Sequence, residues 1–198
     1  MHPMLRNIPS ILETPRLFLR PYRSGDGAWL YKVFQGNKVH LAVAIDGIAE
    51  NFGLNLTVQE DAEVFVRRLE ADWITRQRFI FGLWEKSENR YVGELWIENR
   101  DWTIGLHEIG YYVVEAALGK GFATEAAKAG IQLIFNELNG NKISLTCDED
   151  NVRSYRVAER CRFVQEGCLR QEVKRDDGRW VGKLQYGMLK SEFEKSDS

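Results

Sequence analysis

The segment "VVEAALGKGFATEAAKAG", residues 113–130, sets two glycines around a lysine between an apolar run and an alanine-rich stretch. From Ala123 onward, Ala127, Ile131, Ile134 and Leu138 fall on one helical face, and "NGN" at 139–141 stops the pattern. The run before the glycines, "HEIGYYVV" (107–114), reads as a strand. Gly119 and Gly121 therefore sit at a strand-to-helix corner, where the first N–H groups of the helix have no intrahelical partner and its dipole adds partial positive charge. Glycine lets the backbone come close to an anion at such a corner, and Thr124 adds a hydroxyl. Nucleotide-binding loops do not fit. A P-loop requires a glycine where Val114 stands and a Ser or Thr where Gly121 stands, and a dinucleotide fingerprint requires a third glycine at Thr124.

Outward from the corner, the pattern alternates between the two periods. "RLFLRPY" (16–22) alternates like a half-buried strand, and Asp26 offers an N-cap to a helix beginning near Ala28. Residues 36–56, "GNKVHLAVAIDGIAENFGLNL", show no sustained period and read as an irregular or mobile segment of the kind that shapes a substrate pocket. Thr57 and Glu60 form a capping box for a helix with Val58, Ala62, Phe65, Leu69 and Trp73 on one face. "RFIFGLWEK" and "RYVGELWIEN" form an antiparallel hairpin around "SEN". After the glycine corner come a strand "KISLTC", a short helix "NVRSYRVAERC", and two strands, "FVQEGCLRQEV" and "RWVGKLQYGML", around "DDGR". The order β-α-α-β-β-β-α-β-α-β-β predicts an α/β domain around one sheet, spanning residues 1–198, with 1–12 and 192–198 peripheral.

Composition narrows the function. With 44% hydrophobic residues, 28% charged residues and a net charge of −2, the chain lacks the basic footprint of a nucleic-acid binder. Three cysteines, none in a C-x-x-C pair, suit a reducing interior better than a disulfide framework. The N-terminus is broken by Pro3, Arg6, Asn7 and Pro9, and no run approaches a membrane span, so a cytoplasmic, soluble protein is expected. His2, His40 and His107 are too few and scattered for a metal site, and "HEIGY" lacks the second histidine of H-E-x-x-H.

Residues 118–123, "LGKGFA", match the acetyl-CoA loop pattern [Gln/Arg]-x-x-G-x-[Gly/Ala] apart from Leu118 in the first place. Together with "ETPRLFLRPY", "EIGYYV", "GKGFATEA" and "NVRSYRVAERCRFVQEG", the chain resembles the GNAT-type N-acetyltransferases over nearly its whole length. Within them it is most similar to the Rim-type ribosomal-protein N-terminal acetyltransferases. It departs from that pattern at Leu118, at Arg162, where a glycine usually precedes the phenylalanine, and at Gly182, where an aspartate is frequent. The resemblance implies a mixed, mostly antiparallel twisted sheet flanked by helices, and acetyl transfer from acetyl-CoA to a primary amine by direct attack, without a metal.

The resemblance also implies site residues. Leu118, Gly119, Lys120, Gly121, Phe122, Ala123 and Thr124 would hold the pyrophosphate, and the backbone of Tyr112, Val113 and Val114 the pantetheine arm, with an N–H near Val114 facing the oxyanion. Asn151 would bond the same arm, although its place also suits an N-cap. Ser154, or Tyr155 in its stead, would protonate the thiolate; Ser154 also shares a packing face with Val157, Ala158 and Cys161. For the base, Glu108 stands first, Glu172 second and Glu94 third. An α-amine of pKa about 7.7–8.0 is already neutral to roughly 10% at pH 7, against well below 1% for a lysine near 10.4, which favours an N-terminal acceptor. The expected partner is thus a protein or peptide N-terminus, ribosomal or otherwise, for a monomer or homodimer acting without nucleic acid or membrane. A small amine such as a polyamine or aminoglycoside, or non-catalytic acyl-CoA binding, are the alternatives.

Overall fold

The computed structural model describes residues 2–44 and 57–196. Eight strands form one sheet: β1 (Leu12–Glu13), β2 (Leu17–Pro21), β3 (Arg78–Glu85), β4 (Arg90–Asp101), β5 (Leu106–Val113), β6 (Lys142–Asp148), β7 (Val164–Lys174) and β8 (Trp180–Leu189). Their order is β1-β2-β3-β4-β5-β6-β8-β7, antiparallel throughout except for the β5–β6 pair. The sheet is therefore mixed and mostly antiparallel, as expected. Among the described residues five α-helices flank it: α1 (Gly27–Ala44), α2 (Gln59–Ile74), α3 (Phe122–Asn136), α4 (Val152–Arg160) and α5 (Lys190–Ser196).

Each face of the sheet buries its own apolar set. α1 and α2 cover one face around Tyr22, Phe34, Val66, Leu69, Ile80 and Tyr112. α3 and α4 cover the other, where Leu95, Ile109, Ile131, Ile134, Leu145 and Ala158 pack together. Fully burying one such Leu, Ile or Phe side chain contributes about 1.5–3 kcal/mol, so the period-3.6 and period-2 stripes that locate the elements also hold them in place.

Three boundaries differ from the sequence reading. Residues 36–44, expected to be irregular, continue α1, because Leu30, Phe34 and Leu41 keep a helical stripe buried through Gly36 and Asn37; residues 45–56 of that expectation lie outside the described residues. The cap of α2 is shifted by one. Asp61, rather than Glu60, reaches back to the N–H of Thr57 and of Val58 and to the Thr57 hydroxyl, and the buried face runs through Ala62, Val66 and Leu69. Asp26 precedes α1, but its carboxylate binds Arg20 and the Arg23 N–H. Near the chain ends, Ile8 is buried, β1 pairs with β2, and the Phe193 ring of α5 stacks on Phe135. Among the described residues, no helix is long and apolar enough to cross a membrane.

Candidate active site

β5 and β6 are paired only from Leu106–Glu108 to Lys142–Ser144, whereas β5 follows β4 as far as Val113 and β6 follows β8 as far as Asp148. Beyond Glu108 the two strands part. A cleft of about 1620 Å³ runs through the opening, lined by Tyr111, Tyr112 and Val113 on one side and Leu145, Cys147 and Ser154 on the other. The N–H of Val114 donates to Val92 O at 3.0 Å, so it is turned towards β4. Antiparallel pairing alternates along the strand, which aims the N–H and C=O of Val113 and Tyr111 at the opening. The backbone N–H next to Val114 that faces the opening is therefore that of Val113.

The glycine corner closes one end of the cleft. Gly119 (φ 73°) and Gly121 (φ 81°) are both left-handed, a conformation that glycine alone adopts freely. Gly121 is the N-cap of α3, and the N–H groups of Phe122, Ala123 and Thr124 have no partner within the helix. Leu118, Gly119, Gly121, Phe122, Ala123 and Thr124 all line the cleft, and a Cβ at Gly119 would meet nothing within 4 Å. An open backbone cradle at a helix N-terminus, with Lys128 and Arg160 also lining the cleft, fits the diphosphate of acetyl-CoA. Lys120 takes part through its carbonyl, which accepts from Arg16 Nη1 at 2.9 Å; its side chain is exposed and does not line the cleft.

Arg16, just before β2, and Glu125, in the first turn of α3, which the sequence reading passed over, brace this loop. The Glu125 carboxylate accepts from the Thr14 hydroxyl (2.6 Å), the Arg16 N–H (2.9 Å) and Arg16 Nε (2.6 Å), and these bonds hold it below the usual carboxylate range against the opposing effect of burial. The Arg16 guanidinium also stacks 4.9 Å from the centre of the Phe122 ring. "ETPR" and "GFATE" lie more than a hundred residues apart, so no local pattern reveals the pair.

α4 supplies the second wall. Asn151 caps it, its side-chain oxygen accepting from the Ser154 N–H at 3.2 Å, and both residues line the cleft. The Tyr111 hydroxyl donates to Ser154 O at 3.0 Å and so ties α4 to β5 across the opening. The Ser154 hydroxyl lies against the Cys147 thiol, which burial pushes up to about 11. Tyr155 packs against the core with Arg156 over its ring, and it is not among the residues lining the cleft. Arg162, at a usual glycine position, adopts φ 68° just after α4.

None of the three glutamates lines the cleft. Glu108 is held by Arg100 and by the Thr146 hydroxyl at 3.4 Å. Glu172 is exposed on the edge strand β7, inside a register shift between Leu169 and Val173 that also holds the left-handed Gln171. Glu94 is 1% exposed and accepts from the Tyr22 hydroxyl at 2.6 Å; Tyr91 links Tyr22 (2.9 Å) to Tyr112 (2.7 Å). Burial pushes its carboxyl up to about 8. The ring of His40, from the helical continuation of α1, does line the cleft, with Nε2 3.1 Å from Val113 O.

The acetyltransferase (GNAT) domain family matches residues 16–164. The chain is 25% identical to the uncharacterized N-acetyltransferase YnaD of Bacillus subtilis, over 92% of this chain and 98% of that one. It is 34% identical to the SPbeta prophage-derived uncharacterized N-acetyltransferase YokL of the same organism, over 62% of this chain and 71% of the relative. Among solved structures it superposes with RimL, described as a ribosomal L7/L12 alpha-N-protein acetyltransferase in complex with coenzyme A, at a TM-score of 0.78, with 21% identity, covering 92% of this chain and 97% of RimL.

Proposed function

Because this chain belongs to the GNAT acetyltransferase family, and is thus an acetyl-CoA-dependent N-acetyltransferase, we propose that its acceptor is the α-amine of a polypeptide N-terminus, of the ribosomal-protein kind. The observation that carries this reading is the placement of the three glutamates, each held away from the cleft by a cation, by burial or by the sheet edge. Of the carboxylates that do line the cleft, Glu13 is paired with Lys86, Glu125 with Arg16, Asp148 and Asp150 with Arg175, and Asp177 with Arg179, so these are already engaged by cations when a charged amine arrives. An α-amine, neutral to roughly 10% at pH 7, suits such a site far better than a lysine. The alpha-N activity in RimL's name points the same way.

Acetyl-CoA, when bound, supplies the thioester. The N–H groups of Phe122, Ala123 and Thr124 hold its diphosphate, and the edge of β5 from Tyr111 to Val113 receives the pantetheine arm. The Val113 N–H faces the carbonyl oxygen where negative charge develops, a role in which one donor contributes about 10²–10³ in kcat. Ser154 delivers the proton to sulfur, and Asn151 holds the turn that presents it. Tyr155, packed outside the cleft, gives way to Ser154 as the acid.

The test is a panel of N-terminal peptides, lysine-bearing peptides with blocked N-termini, polyamines and aminoglycosides, each incubated with acetyl-CoA and followed by thiol release. Turnover of free N-termini is expected; turnover of polyamines or aminoglycosides alone would sink the acceptor assignment. Ser154→Ala should lower kcat by about 10² or more while CoA binding is retained, an outcome that a mere acyl-CoA-binding protein would not give.

A further inference from the structure

We propose that His40 is the general base of the transfer, its Nδ1 receiving the proton that the acceptor amine loses as it attacks. This rests on the reading above that an amine attacks at the Val113 edge of the cleft. α1 leans on the end of β5 through two side chains one helical turn apart. Asn37 Oδ1 accepts from the Glu115 N–H at 3.2 Å, and His40 Nε2 lies 3.1 Å from Val113 O. A carbonyl oxygen only accepts, so Nε2 carries the ring proton and the lone pair of the neutral imidazole is on Nδ1. The backbone carbonyl thus fixes the tautomer that can act as a base.

Position supports the same role. The N–H and C=O of Val113 leave β5 on the same side, so the residue that offers the oxyanion donor also holds the imidazole. His40 shares the cleft with Val113, Tyr112 and Ser154. The other described histidines are elsewhere: His107 is buried edge-on to Trp102, with its ring pushed down to about 4 by burial, and His2 caps the short N-terminal turn. Glu94 is shut behind the tyrosines at 1% exposure.

The step balances without a further reagent. The amine lone pair forms the C–N bond, the carbonyl π pair moves onto the oxygen facing the Val113 N–H, and the nitrogen's proton passes to His40 Nδ1. The oxygen pair then re-forms C=O, the C–S bond breaks with its pair on sulfur, and sulfur takes a proton from the Ser154 hydroxyl. His40 releases its proton to water, and Ser154 regains one from it.

His40→Gln keeps an N–H for the Val113 carbonyl but has no basic nitrogen, and His40→Ala opens room for free imidazole. In His40→Gln we expect kcat to fall by about 10²–10³ with the KM for acetyl-CoA and the affinity for CoA within about threefold of the parent. In His40→Ala, added imidazole should restore part of the lost rate in a saturable way. A kcat in His40→Gln within about threefold of the parent overturns the assignment, as does a loss in His40→Ala that imidazole leaves untouched. The ratio is read on whichever primary amine the parent enzyme uses best. A panel in which peptides fail but a small amine is turned over therefore refutes the acceptor reading and still decides the role of His40.

Discussion

Replacing Arg16 by alanine should weaken CoA binding far more than it weakens the fold, and removing the charge of Glu125 as well should restore most of the loss. Arg16→Ala deletes Nε and Nη2 from the Glu125 carboxylate and Nη1 from Lys120 O. The arginine side chain is 51% exposed, so the ion pair itself is worth about 1 kcal/mol or less to stability. Glu125, however, is only 14% exposed and stands in the first turn of the helix whose N–H groups form the anion cradle. Without Arg16 its charge opposes the diphosphate directly. A like charge left unpaired within about 6–11 Å of the diphosphate costs about 1.5–3 kcal/mol at an effective dielectric constant near 20, which corresponds to CoA binding weaker by about 10- to 100-fold. Glu125→Gln keeps an acceptor for the Thr14 hydroxyl and the Arg16 N–H, and should leave affinity within about threefold. The double variant should recover to within about tenfold of the parent, a coupling of about 1–2 kcal/mol. Calorimetric titration of CoA into the four proteins, repeated at low and high salt, reads the cycle directly, and salt should shrink the Arg16→Ala deficit. Simple additivity, with the double variant as weak as Arg16→Ala or weaker, would refute the reasoning.

Two further outcomes follow from buried groups. Glu94 keeps its proton up to about pH 8 in the folded protein, while in the unfolded chain it ionises near its ordinary 4.5. The unfolded state therefore sheds that proton first, and Glu94 makes stability fall as pH rises from 4.5 to about 8. The total fall is up to about 4–5 kcal/mol, and Glu94→Gln should remove that slope from melting curves taken across the range; an unchanged slope would count against a buried neutral acid. Gly182→Asp, which would restore the aspartate frequent in Rim-type relatives, should destabilise the chain by about 1–3 kcal/mol in urea. A Cβ there would sit 2.7 Å from Glu149 Oε2 and 2.9 Å from Cys168 Sγ, so adding Glu149→Ala should return at least half the loss.

What could be read from the sequence was whatever repeats locally. The β3–β4 hairpin, the buried stripe of α3 and the cradle at Gly119 and Gly121 each announce themselves within about fifteen residues through period or turn chemistry. The second half of α1 was hidden because Gly36 and Asn37 look like a helix stop, although Leu41 continues the stripe begun by Leu30 and Phe34. That error concealed His40, whose place beside Val113 depends on the helix continuing. The Arg16–Glu125 brace and the Tyr111–Ser154 bond join distant segments, so only the folded chain brings them together. Glu172 illustrates a subtler loss. A count along β7 is ambiguous by one residue, and the register shift between Leu169 and Val173 is the physical source of that ambiguity.

The parting of β5 and β6 has a mechanical side. The described strands make a sheet with a seam, stitched by three residue pairs at one end and by the Tyr111–Ser154 bond near the other. A chain laid along the open edge completes the hydrogen-bonding that the strands forgo, as a pantetheine arm would. The two halves of the sheet are then fastened together by the substrate, and resistance to unfolding rises with the logarithm of acetyl-CoA concentration above its dissociation constant.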